Sequence, residues 1–213
     1  MLVVDVNSGC RANYEVDVQA ADFSVLDSLD EWKATFLVGA AVDLLVTLLE
    51  TKVPDMVVTA ILGNAVAKVA EGWLTERGIK LEPYLEVIPK VLENIPKSLV
   101  SFVDYVCGVI VFSYMPFIMR CRENYMPPKG VCALTGRPKI ATIDKLLEFF
   151  VYDLKDVSVI LCSRQLTGGL GAIVGKELYS LLKRLENLHI PYTFATGTAC
   201  HCHCILKLTK AKK

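Results

Sequence analysis

Three cysteines and two histidines fall within five consecutive residues, Cys200-His201-Cys202-His203-Cys204. Thiolate and imidazole are the side chains that tetrahedral zinc sites use most, and thiolates alone hold iron–sulfur clusters. On an extended chain, side chains alternate, so the three thiols face one way and His201 and His203 the other. A single ion cannot then take all five. C-x-C spacing is tight for a tetrahedral site, so it implies a curled loop or ligands brought from elsewhere in the chain. Cys162 is one source, and the pair Cys121 and Cys132 is another. The reading is a metal held by Cys162, Cys200, Cys202, Cys204 and His201, with zinc as the ion and an iron–sulfur cluster as the variant. Two other uses of the thiols stay open. One is a thiol enzyme, redox or sulfur-transferring, with Cys200 or Cys162 as nucleophile near a helix N-terminus that lowers its pKa. The other is a disulfide or a chemically inert cluster.

The elements that must position these residues are a strand, a helix and a second strand. Val157-Ser158-Val159-Ile160-Leu161-Cys162 is a short, apolar, β-branched run between polar flanks and reads as a buried strand. From Leu170, the apolar positions Ile173, Val174, Leu178, Leu181, Leu182 and Leu185 recur at helical spacing, which predicts a helix ending near Asn187. Residues 190–196 form the next strand, with Pro191 tolerable at its start. Two strands joined by a helical crossover run parallel, so Cys162 and Cys200 are expected at the same, carboxyl, edge of one sheet. Gly168, Gly169 and Gly171, with Arg164 nearby, would sit at the helix N-terminus as a phosphate-binding loop.

Eight cysteines in a chain of 213 residues, clustered toward one end and without a cleavable signal peptide, predict a reducing compartment, the cytoplasm, with metal or catalytic use of thiols. Formal net charge is zero, but residues 1–119 hold 8 lysines and arginines against 16 acids, and residues 120–213 hold 15 against 7. The basic half, which contains the cysteine run, predicts a phosphate-bearing partner, nucleic acid or nucleotide, unless the two halves neutralise each other internally.

In chain order, residues 1–26 read as a β-hairpin, 27–119 as a helical region, 120–140 as a basic linker rich in proline and glycine, and 141–213 as the α/β unit with the Cys/His run. The fold class is therefore mixed α/β, with a small parallel βαβ unit at the C-terminal end. The helical region reads as helices over 32–50, 56–77 closed by Gly78, 82–94, and 96–119. Over 98–119 the only formal charge is Asp104, and basic residues follow the stretch, so a membrane span is the alternative there; the mean hydropathy of +0.43 agrees with it. Asp104 and Pro116 speak against it. Residues 207–213 read as an exposed basic end.

From Thr142 onward, the order short helix, strand, loop, helix, then Asn187-Leu188-His189-Ile190-Pro191-Tyr192, resembles the closing half of the L7Ae-type RNA-binding fold. That resemblance implies an RNA partner. The Gly-Asn-Glu motif by which that family reads RNA is absent, and no functional residue is carried over from it.

Overall fold

The computed structural model describes residues 1–60, 63–115, 130–132, 134–151, 156–167 and 170–213. They form two compact units, Met1–Val53 and Pro54–Lys213. The chain is of the α/β class, as the alternation of apolar runs predicted.

In the first unit, β1 (Leu2–Asp5), the single helical turn α1 (Arg11–Tyr14), β2 (Val18–Ala20), a 3-10 helix (Phe23–Ser28), β3 (Thr35–Val38) and α2 (Ala41–Thr51) follow one another. The expected hairpin over 1–26 is not formed. Instead β1 and β2 each run parallel to β3, which lies between them. The cause is local chemistry. Arg11 and Glu15 pair one turn apart at 2.7 Å, and the Asp17 carboxylate accepts from the Ala34 N–H, so the alternating run 14–18 is spent on turns. Thr35, Phe36 and Leu37 are all buried, and the most apolar strand takes the centre. Leu26, Leu37, Leu44 and Leu48 close this core.

The second unit begins with β4 (Met56–Val58), α3 (Ala65–Glu76), β5 (Lys80–Pro83), α4 (Ile88–Asn94), β6 (Val100–Asp104) and β7 (Val109–Ser113). It continues with α5 (Ile143–Val151), β8 (Val157–Cys162), β9 (Arg164–Thr167), β10 (Leu170–Val174), α6 (Gly175–Glu186), β11 (Tyr192–Ala199) and β12 (His203–Lys212). A six-stranded sheet runs β6-β7-β12-β11-β8, with β5 pairing the far end of β12. Only β8 and β11 are parallel in it. The strands β4, β10 and β9 make a small antiparallel sheet.

Three expectations are corrected here. The helix expected over 96–119 is, as far as residue 115, the antiparallel pair β6 and β7, turned at Gly108 (φ 68°) and capped by Asp104 accepting from the Val106 and Cys107 N–H groups. Val100, Val103, Val109 and Val111 are β-branched and suit the pleat rather than a helix. The membrane span at 98–119 goes with that helix, and among the described residues no helix is long and apolar enough to cross a membrane. The basic end at 207–213 is instead most of β12, an interior strand: Leu206, Leu208 and Ala211 are buried, Lys207 and Lys210 lie between them, and Lys212 follows. Much of the linker at 120–140 lies outside the described residues; within it Val131 bridges Pro138.

Helices cover both faces of the large sheet. On one side α4 and α5 bury Ile88, Val91, Ile143 and Leu147 against Phe112, Ile160, Ala195, Cys204, Leu206 and Leu208. On the other, α3 is fixed by Asn64, its buried N-cap. The Asn64 amide donates to the carbonyls of Thr196 (2.9 Å) and Ile205 (2.8 Å), and its oxygen accepts from the Ala67 N–H (3.0 Å) and the Thr198 hydroxyl (2.9 Å). Every donor of this amide is therefore used, and a helix start is tied to two strands at once.

Candidate metal centre at the carboxyl edge of the sheet

The strands β8 and β11 run in register to Cys162 opposite Ala199, and the Ser163 N–H donates to the Ala199 carbonyl at 2.6 Å. The chain then turns back into β12 with Ala199 opposite Cys204. Three backbone bonds fix that turn. The Cys200 N–H donates to His203 O (2.8 Å), the Tyr114 N–H after β7 to Cys202 O (3.1 Å), and the Ile143 N–H at the start of α5 to His201 O (3.2 Å). The turn's own bond and two other elements, the end of β7 and the start of α5, thus hold a loop of otherwise adaptable residues.

The turn replaces the alternation expected of an extended run, and so it regroups the side chains. Cys200 Sγ lies 3.4 Å from His203 Nδ1. His201 is exposed, while Cys202 and Cys204 are buried. Cys204 sits in the α5-side core with Phe112 and Leu206, and burial pushes its thiol well above the ordinary range. Register places Cys162, Ala199, Cys204 and Phe112 in one row across that face, and Asp144, in the first turn of α5, lies within electrostatic range of Cys162 and Cys204. Asp144 is 8% exposed, and its Oδ1 has no hydrogen-bond partner among the described residues. Cys132 is buried in the same core, and Cys121 lies outside the described residues.

Burial sets the protonation of the pair. It pushes the Cys200 thiol up, and the Cys162 thiol up as well, with Asp144 and Cys200 adding to the shift. It holds the His203 imidazole below its usual range, helped by Lys139. A neutral thiol against a neutral imidazole is a poor nucleophile, since attack needs the thiolate. A neutral imidazole is, however, the state in which histidine ligates metal. The Cys162 thiol meanwhile makes only a weak contact, 3.9 Å, to the Ser163 carbonyl. Among the described residues, no three His, Cys, Asp or Glu side chains converge closely enough to hold one ion as they stand. The seven described cysteines are unpaired.

Of the five expected ligands, the structure brings Cys162, Cys200 and Cys204 within electrostatic range of one another and leaves His201 exposed. The ligand-type residue that sequence reasoning missed is His203. Its signal was the Cys200-x-x-His203 spacing, which a tight turn closes.

The expected phosphate loop is corrected. Leu170–Val174 is a strand paired with β4 and β9, so Gly171 lies within a sheet; Gly168 and Gly169 lie outside the described residues. The helix start is Gly175, five residues later, and its N–H is engaged by the Asp55 carbonyl at 3.0 Å. A Cβ at Gly175 would overlap the Pro54 carbonyl, which is why glycine stands there. Arg164 pairs with Glu177 at 2.6 Å.

The family described as "Uncharacterized protein, C-terminal domain" (AF_1314_C) matches residues 69–212, a range that runs from within α3 to the end of β12. A protein of Archaeoglobus fulgidus, itself described as uncharacterized, is 30% identical over 210 residues, covering 98% of this chain and 87% of its own length. No solved structure matches. The match over the whole large sheet, together with a relative aligned over nearly the entire chain, places this protein in the AF_1314_C family.

Proposed function

We propose that the chain is a metal-stabilised protein whose centre is the Cys200–His203 turn together with Cys162, with zinc as the ion. The observation that carries this reading is the 3.4 Å separation of Cys200 Sγ and His203 Nδ1. A tetrahedral zinc ion about 2.3 Å from sulfur and about 2.0 Å from nitrogen keeps those two ligand atoms about 3.5 Å apart. The backbone therefore already sets two donors at the spacing one ion needs. Cys162, on the neighbouring strand, supplies a third by turning its weakly held thiol. Asp144 is the buried carboxylate in range, with an oxygen free to accept. In this reading the metal is structural. It ties β8 to the β11–β12 turn and draws the thiols into the thiolate form that burial alone opposes.

The phosphate-bearing partner has less support. Lys207, Lys210 and Lys212 pair with Glu71, Glu86 and Glu82, so β12 spends its charge on acids from the first half of the chain. The thiol-enzyme alternative is opposed by the directions in which burial moves both members of the Cys200–His203 pair.

The test is elemental analysis of protein purified without added metal, followed by thermal melting with and without a chelator. About one equivalent of zinc and a chelator-dependent fall in Tm are expected. Metal-free protein whose melting ignores both chelator and added zinc, with Cys200 selectively alkylated at neutral pH, would replace the metal reading by the thiol-enzyme one.

A further inference from the structure

The strand β8 closes one side of the large sheet, and among the described residues nothing pairs with its outer edge. Because the Ser163 N–H faces β11, the alternation of a strand turns the backbone N–H and C=O groups of Ser158, Ile160 and Cys162 away from the sheet. Beside this edge runs an open groove of about 410 Å³ lined by Val159, Leu161, Lys176, Glu177, Leu181 and Arg184. Val159 and Leu161 share the α6 face with Thr196 and Thr198, their register partners, so the floor of the groove is apolar. Its rim is cationic. Lys176 and Arg184 are exposed and make no ion pair among the described residues, while Glu177 is already engaged by Arg164.

We propose that this edge receives an extended, acidic peptide segment of another protein, added to the sheet as a strand beside β8. Two features call for a strand of this pattern, and a third chooses another protein over a second copy of the chain. The free backbone groups fit a strand. The apolar floor fits one side chain between two others. The rim charge repels a symmetric copy, which would bring Lys176 and Arg184 toward the same two cations. The spacing also fixes a motif. Lys176 and Arg184 are eight residues apart on α6, about 12 Å along its axis. Residues i and i+4 of a strand share a face and lie about 13 Å apart. The segment therefore reads acidic-x-apolar-x-acidic, with all three named side chains toward α6.

The probe is a synthetic peptide, Thr-Glu-Thr-Leu-Thr-Glu-Thr, blocked at both ends and fluorescently labelled, titrated with the full chain as purified, whose metal content and melting are measured on the same sample so that failure of the metal reading and failure of this proposal stay distinguishable. Saturable binding that weakens with salt is expected, with at least about a fivefold loss for Lys176→Glu and for Arg184→Glu, and loss of binding for Ser158→Pro. Both charge reversals lie on the exposed face of α6, so folding is not at stake in them. Equal binding of the same peptide with lysine for glutamate, or no binding at millimolar concentration, would overturn the proposal. So would self-association of the chain that Ser158→Pro abolishes, because the edge would then serve a second copy.

Discussion

The two ends of β12 differ in how their polar groups are answered. Toward its C-terminal end, Lys207, Lys210 and Lys212 each meet a carboxylate, and Lys210 also lies 4.5 Å over the Tyr84 ring. One hydroxyl there, that of Thr209, is buried without a partner among the described residues, a modest cost beside that of an uncompensated charge. At the other end, His203 and Cys200 face each other in a half-buried turn, both held neutral, and a carboxylate oxygen of Asp144 is buried without a partner among the described residues. One strand thus has a basic end whose charges are matched and a sulfur end whose groups are brought together without being satisfied. Such unsatisfied polar groups are where a bound species is expected.

Breaking the middle of the strand should cost most. Asn64→Leu removes four hydrogen bonds and strands the carbonyls of Thr196 and Ile205, and a loss of about 3–5 kcal/mol is expected in urea unfolding. At the sulfur end, Cys200→Ser should abolish the zinc-dependent part of the stability, about 2.7 kcal/mol at a hundredfold excess of metal over Kd. His201→Ala should leave that part intact, since His201 faces solvent.

The pH dependence separates the metal-free and metal-bound states. Burial raises the Cys162 and Cys200 pKa values above their ordinary 9.0, so the unfolded chain releases those protons first and the metal-free protein loses stability as pH climbs past 9. It lowers that of His203 below 6.5, so the unfolded chain takes up the proton first and stability falls again as pH drops below 6.5. A plateau of Tm between those limits is expected, and added zinc should flatten its alkaline side. The smallest effects belong to the basic end. Lys212→Ala, at a half-exposed pair, should cost no more than about 1 kcal/mol and less at high salt, measured by the same unfolding curves.

The α5 helix, β8 and the parallel pairing of β8 with β11 were legible because each is a short run with a single, unambiguous period. The strands β6 and β7 were not. A continuous apolar stretch has no period to separate buried strand from helix, and Gly108 was the turn signal within it. The strand β12 was hidden for a related reason. Leu206-Lys207-Leu208 alternates, but Ala211 falls on the face of Lys207, so the run keeps no single period; one partner strand, β7, lies in the stretch that reads as a helix, and the acids that neutralise the lysines lie far away in sequence. In the candidate site, Cys162 and Cys200 followed from topology. His203 did not, because an extended chain sends it away from Cys200 and only the turn fixed by Tyr114 and Ile143 brings it back.

Cobalt titration of the reduced, metal-free chain addresses the sulfur end most directly, since thiolate-to-cobalt charge-transfer absorption reports sulfur ligation itself. The account predicts a tetrahedral cobalt spectrum with two thiolate ligands, halved in its charge-transfer intensity by Cys162→Ser and shifted by His203→Ala but unchanged by His201→Ala. A flat titration with every thiol still reactive, or a spectrum that survives both Cys200→Ser and Cys162→Ser, would contradict it.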